Sequence, residues 1–487
     1  MAGRAFVPTF ISSPSSAALA MSDDRSAADA NRIERAVLER IRPSSDLLAR
    51  VARVREELVR RFEAEAARRG VPLVRAVVAG SAARETFVNG RLDIDLFLLY
   101  PPDTPREVLE REGLALGGAV LERTERRYAE HPYVRGEFSG FRVEAVPGYA
   151  IDDPSKPISA VDRTPFHHAY LSVRQTPEMK DQVRLTKQFL RTLGLMGSDV
   201  RTGGFSGYLV ELLMLEFGTL DGLLRAARDW PIPVRVGASS VDPRRLPGEV
   251  ALVLIDPVDP GRNVSSALTR QSLGVFILAA REYLRAPSAR WFEPPPPREL
   301  SPDAAAARVA RRGTTVAVVE MSRPANVVDD TLYPQLRKAE RALRDALERA
   351  EFTVVGTATA ADADRLVIAV EVASATLPAV VAREGPPPGL DRSSGFLERW
   401  DQRRDDAVLQ GPYVAPDGHL RVETVRKYRT LDDAIAGLFE GISIGKDLIA
   451  ARSRGWRATP LSGAADTPAL REALVQLLDK RFPWRAD

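Results

Sequence analysis

The chain is 487 residues long and 44% hydrophobic, enough for a sizeable core and too long for one compact domain; the length predicts about three. It contains no cysteine, which excludes disulfides and thiolate metal sites, so any metal must be held by oxygen or by the four histidines. Net charge is a mild +3, but seven of the 69 basic residues are lysine and 62 arginine, a bias that genome composition alone can produce and that is also compatible with a phosphate-bearing partner.

The opening stretch, "MAGRAFVPTFISSPSSAALA", resembles a poor secretory signal broken by Pro8 and Pro14. Residues 1–26 are read instead as a disordered or non-native extension, with Met21 just ahead of a helix-forming segment. No apolar run approaches the roughly 20 residues needed to cross a bilayer. The expectation is a cytoplasmic protein with no membrane partner.

From Ala27 to Gly70 apolar residues recur at helical spacing, at Ile33, Val37 and Ile41 and again at Leu48, Val51, Val54 and Leu58. "VPLVRAVVAG" then reads as a strand, "SAARETFVN" as a short helix or turn, and "RLDIDLFLLY" as a second strand. A helix over "PREVLEREGLALGGAVLERT" and strands over "YVRGEFSG" and "FRVEAVPGY" complete a small mixed sheet flanked by helices, assigned to residues 27–164. Residues 165–290 read as a mostly helical central domain, and "WFEPPPPRELSP" (291–302) as a stiff linker. Beyond it "TTVAVVEM", a helix from Leu332 to Ala350, "FTVVGTATA", "DRLVIAVEV" and "LRVETVRKYR" alternate strand and helix, so 291–487 is an α+β domain with a helical tail. Thr467 and Pro468 read as the cap and first residue of its closing helix.

The second strand poses a chemical question. Asp93 and Asp95 project from one face, because successive side chains alternate, while Ile94 and Leu96 face the other way. Two carboxylates a few Å apart in a dry interior repel, so a positive partner is expected: Arg, Lys or a divalent metal. Mg²⁺ binds through one or two carboxylates plus substrate phosphates. Gly80 and Ser81 stand where a strand ends and a helix begins, a place for a phosphate. Together these predict nucleotidyl transfer, although Asp-x-Asp alone recurs by chance.

The series Gly80-Ser81, Arg84, Thr86, Gly90, Asp93-Ile94-Asp95 and Phe97 resembles the signature of the DNA polymerase β-like nucleotidyltransferases, and in particular the archaeal, class I CCA-adding enzymes (tRNA nucleotidyltransferases). "AEHPYVRGEFSGFRVEAVPGY" (129–149), "ISAVDRTPFHHAYL" (158–171), "GGFSGYLVELL" (203–213), "IDPVDPGRNV" (255–264) and "VVDDTLYPQLRKAER" (327–341) resemble stretches of that family in the same order. The resemblance implies an α+β fold with a polymerase β-like catalytic sheet, a helical central domain that binds nucleotide and RNA, and a C-terminal α+β domain that binds tRNA. It implies that C, C and A are added to the 3′ end of tRNA from CTP and ATP with two Mg²⁺ ions, releasing pyrophosphate; a homodimer is compatible with it.

Roles transfer only where residues match. The resemblance implies that Asp93, Asp95 and Glu144 bind the metal and that Gly80, Ser81 and Arg84 hold the triphosphate. Thr164, His167 and Lys187 are implied to touch the phosphates. Glu144 stands where the family usually has Asp, one methylene shorter, and shares a face with Arg142. Met196 replaces a usual Tyr at a nucleotide contact and cannot donate a hydrogen bond. Tyr208 reads as a core residue, with a base-facing position as the alternative. Arg262 resembles the arginine that helps choose the base, with a tRNA phosphate or Asp259 as acceptor for the base's amino group. Arg383, Gly385, Pro386, Arg426 and Lys427 fall in segments that resemble tRNA contacts. The alternatives are a poly(A) polymerase or oligoadenylate-synthase-like transferase, which shares the catalytic strand, and a noncatalytic RNA-binding derivative.

Overall fold

Apolar residues three or four apart build the first two helices. In the computed structural model, which describes residues 16–128, 131–237, 250–325, 327–403 and 407–485, α1 (Ser16–Ile41) buries Val37 and Ile41. Helix α2 (Ser45–Arg69) buries Val51, Val54, Leu58, Phe62 and Ala66 along one stripe. The Ser44 hydroxyl caps α2 by accepting from the Leu47 N–H, and Gly70, at φ +67°, ends it in a left-handed turn. The first helix thus starts ahead of residue 27, and Ser16 to Ser26 of the expected extension are helical. Residues 1–15 lie outside the described chain.

Strand β1 (Arg75–Ala79) leads into the short helix α3 (Gly80–Arg84), and β2 (Asp93–Tyr100) carries the acidic pair. Helix α4 (Arg106–Val120) precedes β3 (Glu122–Tyr128), β4 (Pro132–Phe138) and β5 (Phe141–Tyr149). The sheet order is β1-β2-β5-β4-β3, parallel only between β2 and β5. Strand β3 is a departure from the sequence reading, which ran the preceding helix through Thr124. Every residue of β3 is exposed, so no buried face imposes a period of two. Its alternating charges suit an edge strand.

The two faces of β2 differ in chemistry. Ile94, Leu96, Leu98 and Tyr100 are fully buried in one cluster with Leu58 and Phe62 of α2 and Leu109 and Leu116 of α4. Burying each such aliphatic side chain stabilises the fold by roughly 1.5–3 kcal/mol. The opposite face carries Asp93 and Asp95, then Phe97 and Leu99, which pack with Ala79 and Val146. The sheet is therefore anchored on one side and acidic at one end of the other.

Past a 3₁₀ turn at Ala160–Arg163 come α5 (Thr164–Ser172), α6 (Pro177–Thr192), α7 (Gly207–Phe217) and α8 (Leu220–Ala227). The two-residue strands β6 (Val234–Arg235) and β7 (Leu252–Val253) and helix α9 (Arg270–Arg285) follow. Phe189 of α6 packs against Tyr283, Trp291 and Phe292 with ring centroids 5.6–5.9 Å away. Trp291 and Phe292, expected to open the linker, are thus core residues. Trp484, near the C-terminus, packs on Trp291 at 5.2 Å. One compact unit accordingly runs to Pro295 and takes in the chain again from Phe482, while the second is Pro296–Arg481.

The second unit is α+β like the first. It contains α10 (Pro302–Arg312), β8 (Thr315–Ser322), α11 (Asp329–Arg349), β9 (Val354–Ala361), β10 (Arg365–Val372), β11 (Val380–Glu384) and α12 (Arg392–Asp401). It continues with β12 (Val408–Val414), β13 (Leu420–Val425), α13 (Leu431–Phe439), α14 (Lys446–Ser453), β14 (Trp456–Pro460) and α15 (Pro468–Leu478). Two antiparallel sheets form, ordered β14-β8-β10-β9 and β11-β13-β12. Thr467 caps α15 by accepting from the Leu470 N–H, ahead of Pro468 at the first helical position. Among the described residues no helix is long and apolar enough to cross a membrane.

Candidate active site

Strands β2 and β5 run parallel with Asp93 opposite Arg142 and Asp95 opposite Glu144, so three carboxylates share one face of the sheet. Two are met by arginines. Arg142 pairs with Asp93, and Arg135 of β4, opposite Glu144 in the antiparallel register, donates from Nε to Glu144 Oε1 at 2.8 Å. The partner of Glu144 is therefore Arg135 from the next strand, while its own strand's Arg142 is drawn to Asp93.

Asp95 stands between them, and no hydrogen-bond donor reaches it among the described residues. Its burial and the neighbouring charges of Glu144 and Asp93 push it up to about 7, against the pull of Arg84 and Lys187. Gly80, at φ +68°, approaches so closely that a Cβ there would sit 2.0 Å from Asp95 Oδ2. Only glycine leaves room for that carboxylate. Ser81 follows in the first turn of α3, half-buried at the strand's end.

A second cluster lies beneath. Glu211 of α7 is 1% exposed and accepts from Arg84 Nε at 2.6 Å, Thr86 Oγ1 at 2.8 Å, Gln175 Nε2 at 3.1 Å and Lys187 Nζ at 3.2 Å. Burial pushes this carboxylate up, but Lys187 and Arg84 outweigh it and hold Glu211 down at about 2. Arg84 and Lys187, expected at the triphosphate, are both buried and turned onto Glu211. A buried cation needs a counter-charge, and α7 supplies one. Met196 is half-buried, its Cε and Lys187 Cε would each stand 4.0 Å from a Cβ on Gly207, and its backbone bridges Phe205.

A third cluster gathers on Asp256. His167 Nε2 lies 2.8 Å and Arg262 Nη1 2.7 Å from its Oδ2, while Oδ1 accepts from the Tyr208 hydroxyl at 2.9 Å and the Val258 N–H at 3.1 Å. The His167 ring stacks on Tyr208 with centroids 3.9 Å apart. His167, expected at the phosphates, thus belongs with Arg262, and Tyr208 is a polar partner as well as a packing one. Asp259 is 4% exposed and accepts from Arg163 Nε at 2.7 Å and the Gly261 N–H at 3.0 Å, which fills two of its roughly four lone-pair sites. Thr164 opens α5 directly after Arg163.

Within the second unit, Arg383 of β11 and Arg426, just past β13, both donate to Glu351. With Arg349, Lys427 and Tyr428 they line a cavity of about 270 Å³. Gly385 and Pro386 are held to β13 through Leu420, and a Cβ on Gly385 would strike the Phe396 ring at 2.8 Å.

Sequence reasoning missed Arg135, Glu211 and Asp256. Glu211 had a signal, as the lone charge in the apolar run Leu209–Leu215. Asp256 had none, because its partners come from 89 positions upstream and 6 downstream.

Among the described residues no three His, Asp or Glu side chains are gathered closely enough to hold a metal ion. The donor set nevertheless fits a hard cation. Asp93, Asp95 and Glu144 offer oxygens on one face, and the carboxylate between two others, without a donor of its own, is where a positive charge relieves most repulsion. His167 and His168 turn to different partners, Asp256 for the first and the Ser172 hydroxyl for the second.

A family model described as a nucleotidyltransferase domain matches residues 55–167. One described as the second domain of tRNA nucleotidyltransferase matches 181–293, and one described as the C-terminal domain of CCA-adding enzyme matches 312–459. The CCA-adding enzyme of Haloarcula marismortui is 37% identical over 456 residues, spanning 88% of this chain and 95% of that protein. That of Halobacterium salinarum is 40% identical over 433 residues, spanning 86% and 90%. That of Methanothermobacter thermautotrophicus is 35% identical over 468 residues, spanning 92% and 98%.

Proposed function

The chain belongs to the CCA-adding enzymes, and from that membership we propose how its residues carry out the reaction. The enzyme is a tRNA nucleotidyltransferase that adds C, C and A to the 3′ end of tRNA from CTP and ATP, without a template. In each step the 3′ oxygen bonds to the α-phosphorus, the bond to pyrophosphate breaks, and the hydroxyl proton passes to solvent.

The observation that carries the site assignment is the register that sets Asp95 beside Glu144 and Asp93 beside Arg142 on one face. Nucleotidyltransferases use divalent metal ions; Mg²⁺, held by Asp93, Asp95 and Glu144, would neutralise triphosphate oxygens and make the 3′-hydroxyl more acidic. Arg142 and Arg135 keep Asp93 and Glu144 on that face. Ser81 and the Gly80 turn receive the triphosphate, with Thr164 at the start of α5 as a further hydroxyl. Arg84 and Lys187 act from behind: two cations against the single charge of Glu211 leave a net positive field at the anionic site. Met196 supplies an apolar contact to the nucleotide, and Arg262 addresses the base.

Arg383, Arg426 and Lys427 contact phosphates of the tRNA acceptor region, with Gly385 and Pro386 shaping the strand that presents Arg383. The reaction belongs in the cytoplasm, where its tRNA and nucleotide substrates are. Sequencing the 3′ ends made from a tRNA lacking CCA, with CTP, ATP and Mg²⁺, tests the reading. Products ending in a single CCA support it; a run of A would instead indicate a poly(A) polymerase.

A further inference from the structure

We propose that Asp256 is a positioning residue for base selection, fixing Arg262 as a rigid donor. The inference rests on the reading of Arg262 as the base-addressing residue. Arg262 stands on a turn with its side chain about one-third exposed, a place where a guanidinium ordinarily samples many rotamers. Here it is constrained twice. The backbone of the turn closes on itself, Asp256 N–H to Arg262 C=O at 2.9 Å and Arg262 N–H to Asp259 C=O at 3.0 Å. The side chain is then tied through Nη1 to a carboxylate whose own side chain is fully buried.

The chemistry of Asp256 also says what it does not do. A carboxylate offers about four lone-pair sites, and all four are filled, by Tyr208, Val258, His167 and Arg262. Asp256 therefore has no capacity left to accept from a nucleobase. It acts through Arg262, which can only donate. Cytosine N3 and adenine N1 are acceptors, whereas the equivalent ring nitrogens of uracil and guanine carry hydrogens. A donor fixed in place rejects the second pair, because two donors face each other and neither is satisfied. A mobile donor swings aside, so discrimination depends on the tether as much as on the arginine.

The test measures kcat/KM for CTP, UTP, ATP and GTP on tRNA substrates ending before each position. The proteins compared are the unmodified enzyme, Asp256→Asn, Asp256→Glu, Arg262→Ala and the Asp256→Asn/Arg262→Ala double variant, with thermal melting as a check on folding. Asp256→Asn puts an amide NH2 in place of one carboxylate oxygen that took two donors, and is expected to lower the CTP:UTP and ATP:GTP ratios at least tenfold. The double variant should lose no more than Arg262→Ala, since both changes act through one contact. Should Asp256→Asn fail to fold, Asp256→Glu keeps the buried charge while displacing the tether, and the same ratios should fall. Folded Asp256 variants with undiminished ratios overturn the inference. If Arg262→Ala also keeps its ratios, the reading of Arg262 fails with it, and an unmodified enzyme that adds neither C nor A overturns the functional assignment instead.

Discussion

Asp95 faces Glu144 across the parallel pairing of β2 and β5, and Gly80 presses its backbone against the same carboxylate. Burial and two acidic neighbours raise Asp95 to about 7. Such crowding is costly in a protein with no use for it, and it supports the proposal that this face takes a cation.

The Gly80 contact gives the first prediction. Gly80→Ala places a methyl 2.0 Å from Asp95 Oδ2 at a backbone φ of +68° that L-residues rarely adopt, so either the turn or the carboxylate must move. Nucleotide addition should fall at least a hundredfold in single-turnover assays while the far-ultraviolet circular dichroism spectrum is retained. Near-normal turnover would mean that Asp95 tolerates displacement.

Glu144 provides the second. Arg135 fixes its carboxylate on the site's face, so Glu144→Gln, which loses the charge at nearly constant shape, should lower addition by orders of magnitude. Glu144→Asp should keep a sizeable fraction, since it keeps the charge and differs by one methylene. A fully active Gln variant would identify Glu144 as a strand residue whose function is only to pair with Arg135.

Glu211 bears on stability. Glu211→Leu leaves Arg84 and Lys187 buried without their shared counter-charge, and should cost about 3–5 kcal/mol in urea unfolding. Its pH dependence has a definite sign. The folded carboxylate titrates at about 2 against an ordinary 4.5, so the unfolded state binds more protons in that window. The stabilisation is complete above the ordinary value and is lost as pH falls toward the folded one. Between about pH 5 and pH 3 the unmodified protein should therefore lose stability more steeply than Glu211→Gln. Parallel curves would show that Glu211 is not ionised in the fold.

Much of this was legible in the sequence, and the limits have physical causes. The acidic strand announced itself because a period of two and an apolar run leave Asp93 and Asp95 nowhere to point but one face. Trp291 and Phe292 misled because four prolines follow just beyond Glu293, although aromatic bulk seeks a core. Strand β3 was invisible because an exposed edge has no hydrophobic period. The roles of Arg84, Lys187 and His167 depend on Glu211 and Asp256, which come from distant segments, and local pattern cannot reveal which carboxylate a cation will meet. Arg142 and Arg135 show the same limit: both lie on the acidic face, and only the register assigns each its carboxylate.

The most direct measurement is single-turnover addition by Asp95→Ala on a tRNA lacking CCA, with tRNA affinity measured in parallel by filter binding. Arginine and lysine contacts to phosphate supply most of a protein's affinity for a nucleic acid, and the variant removes none of them. The account predicts that addition of C and of A falls at least a thousandfold while the tRNA dissociation constant changes by less than about threefold. Turnover equal to that of the unmodified enzyme would contradict it.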